Sequence, residues 1–243
     1  MRPTAIITFV FAFLAPPTSF ADTHSSTLKV AVIDDVPSTQ MATQLMETAY
    51  KQLGIDMTTI VAPSRRALLL ADSGQVDGDL FRIHSVAEEY PNLVQTPYPL
   101  LQGKLYAVVH DPGIRTLPKA KDAPLLVAVR RDIIISEITA KSLGMEPVPA
   151  EDYEQMRNML EQKRVALALV ADVEGLSPLT RSDWKHLTAL PEPVAEFQLY
   201  HYLHRRHEKL AQSLAEVLER LDREGVKEEI RERVVGDFQQ ANN

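Results

Sequence analysis

An α/β protein of two lobes, each built on a central sheet, is what this sequence predicts, and three observations carry that reading. Short apolar runs alternate with segments whose apolar residues recur at helical spacing. This strand and helix series starts twice, once near residue 28 and again at Pro124. Two further β-like segments, near 107–112 and 192–198, stand where the chain would cross from one lobe to the other and back. Too few strands are present for an eight-unit barrel.

Residues 28–33 read as a strand ending in Asp34 and Asp35, after which Met41, Leu45, Met46, Ala49 and Leu53 mark one face of a helix closed by Gly54. Residues 58–61 form a second strand and 65–71 a helix. The turn Ser73-Gly74 introduces a third strand over 76–80. Past Pro97-Tyr98-Pro99, residues 105–109 are strand-like and 110–113 a turn. The second series gives a strand at 125–129, a helix at 135–143 ended by Gly144, a helix at 153–161 and a strongly apolar strand at 165–171. Residues 196–202 are again β-like. Leu210, Leu214, Val217, Leu218 and Leu221 then mark a helix, and a last one follows Gly225 through Val234. Successive βα units predict parallel strands with helical crossovers. The expected division is 22–109 for the first part of lobe one, 110–193 for lobe two, and 194–243 for the return to lobe one with its C-terminal helices.

Residues 1–21 are expected to be a cleaved signal peptide. Arg2 is followed by an apolar run over 5–15, and Ser19 and Ala21 put small residues at the −3 and −1 positions of a cleavage site before Asp22. That run is too short to span a bilayer, so the expected location is the periplasm. With 33 acidic against 26 basic residues, a net charge of −7 disfavours nucleic acid and anionic membrane surfaces as partners. The absence of cysteine removes disulfide scaffolds, thiolate zinc sites, iron–sulfur clusters, cysteine nucleophiles and a lipid-attachment site, so no membrane anchor is expected. None of the nine glycines forms a nucleotide-binding or serine-hydrolase motif, and no cofactor is implied.

Several motifs together resemble a known family. They are the strand ending in Asp34-Asp35, Pro63-Ser64-Arg65-Arg66-Ala67-Leu68, Ser73-Gly74-Gln75-Val76-Asp77-Gly78 with Arg82, Tyr90-Pro91-Asn92-Leu93-Val94, and Thr96-Pro97-Tyr98-Pro99-Leu100. With Glu161-Gln162-Lys163-Arg164-Val165 and the closing helix with Gly225, this order is similar to the periplasmic family 3 extracellular solute-binding proteins, transporter substrate-binding domains of the type 2 periplasmic-binding-protein fold. The resemblance implies two lobes closing on a small polar solute. There are departures. The family's Thr-x-x-Arg carboxylate clamp is replaced by residues 85–90, and its second-lobe Gly-Arg-x-Asp by 163–166. The Gly after lobe two's first strand is replaced by Asp132.

Candidate ligand-binding residues follow from strand ends and helix starts that would face a cleft. Arg82 follows an apolar strand and either anchors an anionic group or makes an interlobe ion pair. Arg66 opens a helix and matches the family motif, with an intralobe pair to Asp77 as the alternative. Asp34 and Asp35 could accept from a ligand amine or cap a helix. Arg130 and Arg131, with Asp132, lie between a strand and a helix, where open α/β sheets bind ligands. Asp172 ends a strand beside the family's ligand acid, or closes a turn. Tyr98 and Phe81 could offer a ring wall, or belong to the core. His201, His204 and His207 do not have the geometry of a metal site.

These residues point to a non-enzymatic periplasmic protein that captures a small polar or anionic solute in an interlobe cleft. A membrane transporter or a sensor would be its partner, and it is expected to be a monomer. Two alternatives stay open on the same fold. One is a dehydratase-like enzyme, marked by a cleft carboxylate of raised pKa beside an arginine. The other is a degenerate binder that acts through protein contacts, marked by a cleft filled with its own side chains.

Overall fold

A computed structural model describes residues 26–33, 36–120 and 123–242. The expected signal peptide, its cleavage point, and Asp34 and Asp35 lie outside the described residues.

Lobe one opens with β1 (Ser26–Val32), α1 (Thr39–Gln52), β2 (Ile55–Val61), α2 (Ser64–Asp72) and β3 (Gly78–Arg82). β1 lies between β2 and β3, parallel to both, as βα units require. β3 starts two residues later than the sequence pattern suggests. Its first residue is Gly78, where a Cβ would overlap the carbonyl oxygen of Tyr202 on the neighbouring strand. All five of its residues are buried. The short α3 (Val86–Glu89) and β4 (Leu93–Gln95) follow, and then β5 (Leu101–Val109) crosses to lobe two.

Lobe two comprises β6 (Leu126–Arg130), α4 (Ile134–Ser142), β7 (Glu146–Ala150), α5 (Tyr153–Glu161), β8 (Leu167–Val173) and the two-residue β9 (Thr188–Ala189). β6 pairs in parallel with β7 and β8. β7 escapes the sequence reading because its segment holds Pro147 and Pro149. The amide of Glu146 donates to Leu125, and that of Arg131 donates to Ala150. The prolines therefore alternate with the residues that face β6, and their missing N–H groups lie on the outer side of an edge strand.

β10 (Ala195–His204) returns to lobe one, where α6 (Glu208–Arg223) and α7 (Val226–Ala241) complete the chain. β10 serves both sheets. Residues 195–199 run antiparallel to β5, whereas residues 200–204 pair with β3 and β4. A register shift between Tyr200 and Tyr202 bends the strand at His201. The sheet order is β2-β1-β3-β10-β5-β8-β6-β7, so β10 and β5 are the two strands at its middle. α6 buries Leu214, Val217, Leu218 and Leu221 against α1 and the sheet, each burial worth about 1.5–3 kcal/mol.

Two positions where the family resemblance expects glycine hold other residues here, and both keep a glycine-like backbone. Asp132 has φ of 63° and Lys163 has φ of 56°.

Candidate functional site

The carboxyl ends of β1, β3 and β6 converge on the junction between the lobes, the place where open α/β sheets take ligands. Two chambers lie there. The inner one, about 70 Å³, is walled by Phe81 of β3 and Ile83 just past it, by Ile133, Ile134 and Ile135 at the start of α4, and by Phe197 of β10. The outer one, about 290 Å³, is polar and includes Ser64, Arg130, Arg131 and Glu151. Ile33 and Asp132 line both.

Arg82 lines the inner chamber but is bound inside lobe one. It is the last residue of β3, only 5% exposed, and Nη2 donates to Asp79 Oδ2 at 2.7 Å. Nη1 donates to Ser64 Oγ at 3.1 Å, and Nη2 also to the Ser64 carbonyl at 3.2 Å. Burial pushes the Asp79 carboxyl up, against the pull of the Arg82 charge. The pair is therefore a buried intralobe bridge between β3 and the start of α2. Arg82 Nε and Ser38 Oγ, both buried, have no hydrogen-bond partner among the described residues.

Arg130, the last residue of β6, and Arg131, just past it, line the outer chamber. Arg131 Nε donates to Glu151 Oε1 at 2.7 Å. Glu151 is itself positioned by the start of α5, where Asp152 accepts from the Gln155 amide and the Gln155 side chain accepts from the Glu151 amide. Phe81 lines the inner chamber and is also a buried member of the lobe-one core, the alternative the sequence left open.

The other candidates go elsewhere. Arg66 is exposed on α2 and makes no ion pair among the described residues; the expected alternative, a pair with Asp77, is not made either. Asp77 instead bonds Arg206 and His207. Tyr98 lies outside both chambers, with its hydroxyl donating to Asp222 Oδ2 at 2.6 Å. That bond to a carboxylate pushes the phenol up to about 12. Asp172 sits within β8, because that strand also begins two residues later than its apolar pattern. It accepts from the Gly175 amide at 2.8 Å, the turn role, and lines a separate open groove of about 680 Å³ with Lys104 and Glu196.

The sequence reading misses the residues that join the lobes. Arg65, the neighbour of Arg66, reaches from α2 to lobe two, with Nε 3.4 Å from Asp132 and Nη2 donating to Glu137 at 3.1 Å. Ile134 packs against the lobe-one core cluster around Leu68 and Ala71. Phe197 lies across Gly103, its partner in β5, where any Cβ would collide with the ring. One signal was available: three isoleucines in a row at a helix start, where β-branched residues are poor helix formers and polar ones are usual.

No family model matches the chain. An uncharacterized protein of Shewanella oneidensis is 23% identical over 235 residues, 93% of this chain and 89% of its own length. Among solved structures, the GluR0 ligand-binding core in complex with L-glutamate superposes with a TM-score of 0.71 at 16% identity, covering 87% of this chain and 99% of that one. The amino acid ABC transporter substrate-binding protein AbpA from Streptococcus pneumoniae, bound to L-arginine, gives 0.67 at 14% identity, covering 89% and 96%. The fold is the two-lobed type 2 periplasmic-binding-protein fold.

Proposed function

We propose that this chain is a solute-binding protein that closes its lobes on a small molecule and offers the closed form to a membrane transporter or a sensor. The observation that carries this reading is the pair of chambers at the lobe junction, built from both lobes and bridged by Arg65. The two solved structures of similar fold hold L-glutamate and L-arginine, which supports a small solute here. The chain would act in the periplasm as a monomer once residues 1–21 are removed. Its hinge would lie in β5 and β10, where Phe197 crosses Gly103. The function is non-enzymatic: Asp79, the buried carboxyl of raised pKa, is bonded to Arg82 and does not line the inner chamber.

A second reading, a binder that takes no solute and acts through protein contacts, is favoured by the way Ile134 fills the space between the lobes. Native mass spectrometry of exported protein separates the two. A co-purifying small molecule, with compaction in small-angle scattering when it is added back to stripped protein, is the expected result. Protein that carries nothing and keeps unchanged dimensions with every candidate solute favours the second reading.

A further inference from the structure

Lobe two sends a finger into lobe one. Along β8, Leu167 and Leu169 pack in one lobe-two core cluster, and Ala168 and Val170 in another. Ala171 touches the clusters of both lobes, and Val173 and Leu176 are buried in the lobe-one cluster with Met41 and Leu45 of α1. Between Val173 and Leu176 the chain reverses at Glu174 and Gly175, with φ of 55° and 86°. Two successive positive φ values inside a bridged pair make this a tight hairpin turn of the primed kind. By Leu179 the chain is back in lobe two, against the cluster around Trp184.

α7 grips the tip of this finger. Lys227 Nζ lies 3.3 Å from Glu174 Oε1, and the two side chains are only 12% and 16% exposed. The same oxygen accepts from the Gln102 amide at 2.9 Å, and the Glu174 amide donates to the Gln102 carbonyl. Val235 and Arg231 stand over Gly175, each within 4 Å of where a Cβ there would lie. α7 is in turn rooted in lobe one, with Ile230 and Val234 in the same cluster and Arg233 Nη2 donating to Gln44 at 2.9 Å. Its far end also meets lobe two, where the amide of the exposed Ser182 donates to the Asn242 carbonyl at 3.3 Å, a bond that opening can give up.

The two attachments differ in strength. Across the cleft the lobes are joined by the partly buried Ile134 and by Arg65, whose side chain is 54% exposed, and an exposed ion pair is worth little. Withdrawing the finger would bring the buried Val173 and Leu176 into water and part the shielded Lys227–Glu174 pair. Opening therefore breaks the first attachment and keeps the second. Phe197, Gly103 and Val173 are register partners in one row across β10, β5 and β8, and a rotation about that row leaves the tip in place. We propose that the hinge has a third crossing, the finger 171–177, which stays with lobe one while lobe two turns. α7, none of whose described residues lines either chamber, thereby sets how freely the cleft opens. The inference rests on reading β5 and β10 as the hinge of a closing solute-binding protein.

The chain has no cysteine, so two spin labels can be placed cleanly. Labels at Leu69→Cys on α2 and Lys141→Cys on α4, both exposed, report the cleft by pulsed dipolar resonance. Hydrogen exchange of the Gln102 and Glu174 amides, followed by NMR, reports the finger. Arg65→Glu is expected to lengthen the label distance and leave both amides as protected as in the parent. Lys227→Glu, which sets like charges at the tip, is expected to speed both amides about tenfold and to broaden the label distances, whereas Lys227→Arg does neither. If Lys227→Glu does not fold, Lys227→Met, which keeps the stem and drops the charge, is read in its place. Amides that lose protection as Arg65→Glu opens the cleft, or a Lys227→Glu protein with parental exchange or parental distances, overturn the third crossing and leave the hinge in β5 and β10 standing. A label distance that only Lys227→Glu moves supports the proposal. One that no substitution moves overturns the hinge and the third crossing together.

Discussion

The hydroxyl of Tyr50 donates to Nε2 of His201 at 2.7 Å, joining α1 to the bend of β10 inside the lobe-one core. The tautomer follows from the other ring nitrogen. Nδ1 lies 3.1 Å from the Leu80 carbonyl, which only accepts, so Nδ1 carries the proton and Nε2 is the acceptor. Burial lowers the His201 pKa to about 4 from 6.5. Between those values the unfolded chain binds a proton that the folded chain refuses, so stability is whole above pH 6.5 and is lost as pH falls toward 4. The loss amounts to about 3 kcal/mol. Urea unfolding at pH 7 and pH 4.5 should show it, and His201→Gln should remove most of the pH dependence while lowering stability at pH 7.

Arg82→Ala should destabilise the protein by about 3–5 kcal/mol, because it strands the Asp79 carboxylate inside lobe one. A fall in melting temperature of roughly 10 °C would register this. The double substitution Arg82→Met with Asp79→Leu should recover most of the loss. Were Arg82→Ala to melt like the parent, the buried bridge would have no structural weight.

Arg65→Glu should open the lobes, since it sets like charges against Asp132 and Glu137 across the junction. Each exposed pair is worth only about 0–1 kcal/mol, so the effect is a shift in the open and closed populations rather than unfolding. Small-angle scattering should show a larger radius of gyration at low salt, converging with the parent as salt screens both. Arg66→Glu, one residue along and facing solvent, should leave the dimensions unchanged.

Lys163→Gly should raise stability by about 0.5–1 kcal/mol. A residue with a Cβ at φ of 56° gives up roughly 1–2 kcal/mol, of which glycine's greater freedom in the unfolded chain cancels part. Chemical denaturation measures the difference directly, and a destabilised variant would contradict the strain.

How far the sequence led can be judged from neighbouring residues. Hydrophobic period located α1, α5 and α6, because each buries a continuous apolar stripe. It misplaced β3 by two residues because the start of that strand is set by the close approach of Gly78 to Tyr202, a contact between segments far apart in the chain. Arg82 thereby moved from just past a strand to its buried last position. Arg65 and Arg66 look alike in the sequence. The helix turns them about 100° apart, and only the docking of two lobes decides which one finds acids opposite. Asp79 gave no local hint of burial, since its compensation comes from Arg82, three residues along the same strand, and from the Phe81 backbone, in a strand of otherwise ordinary composition.

Pro147 and Pro149 on β7 have a consequence for how the molecule meets others of its kind. A strand arriving from a second molecule would seek N–H donors along this margin and find, at every second residue, a ring nitrogen with no hydrogen to give. Sheet growth into fibres or edge-joined pairs is thus blocked at this end by covalent structure rather than by charge. Such a block is indifferent to acid and to salt, the conditions that would loosen the rest of the protein.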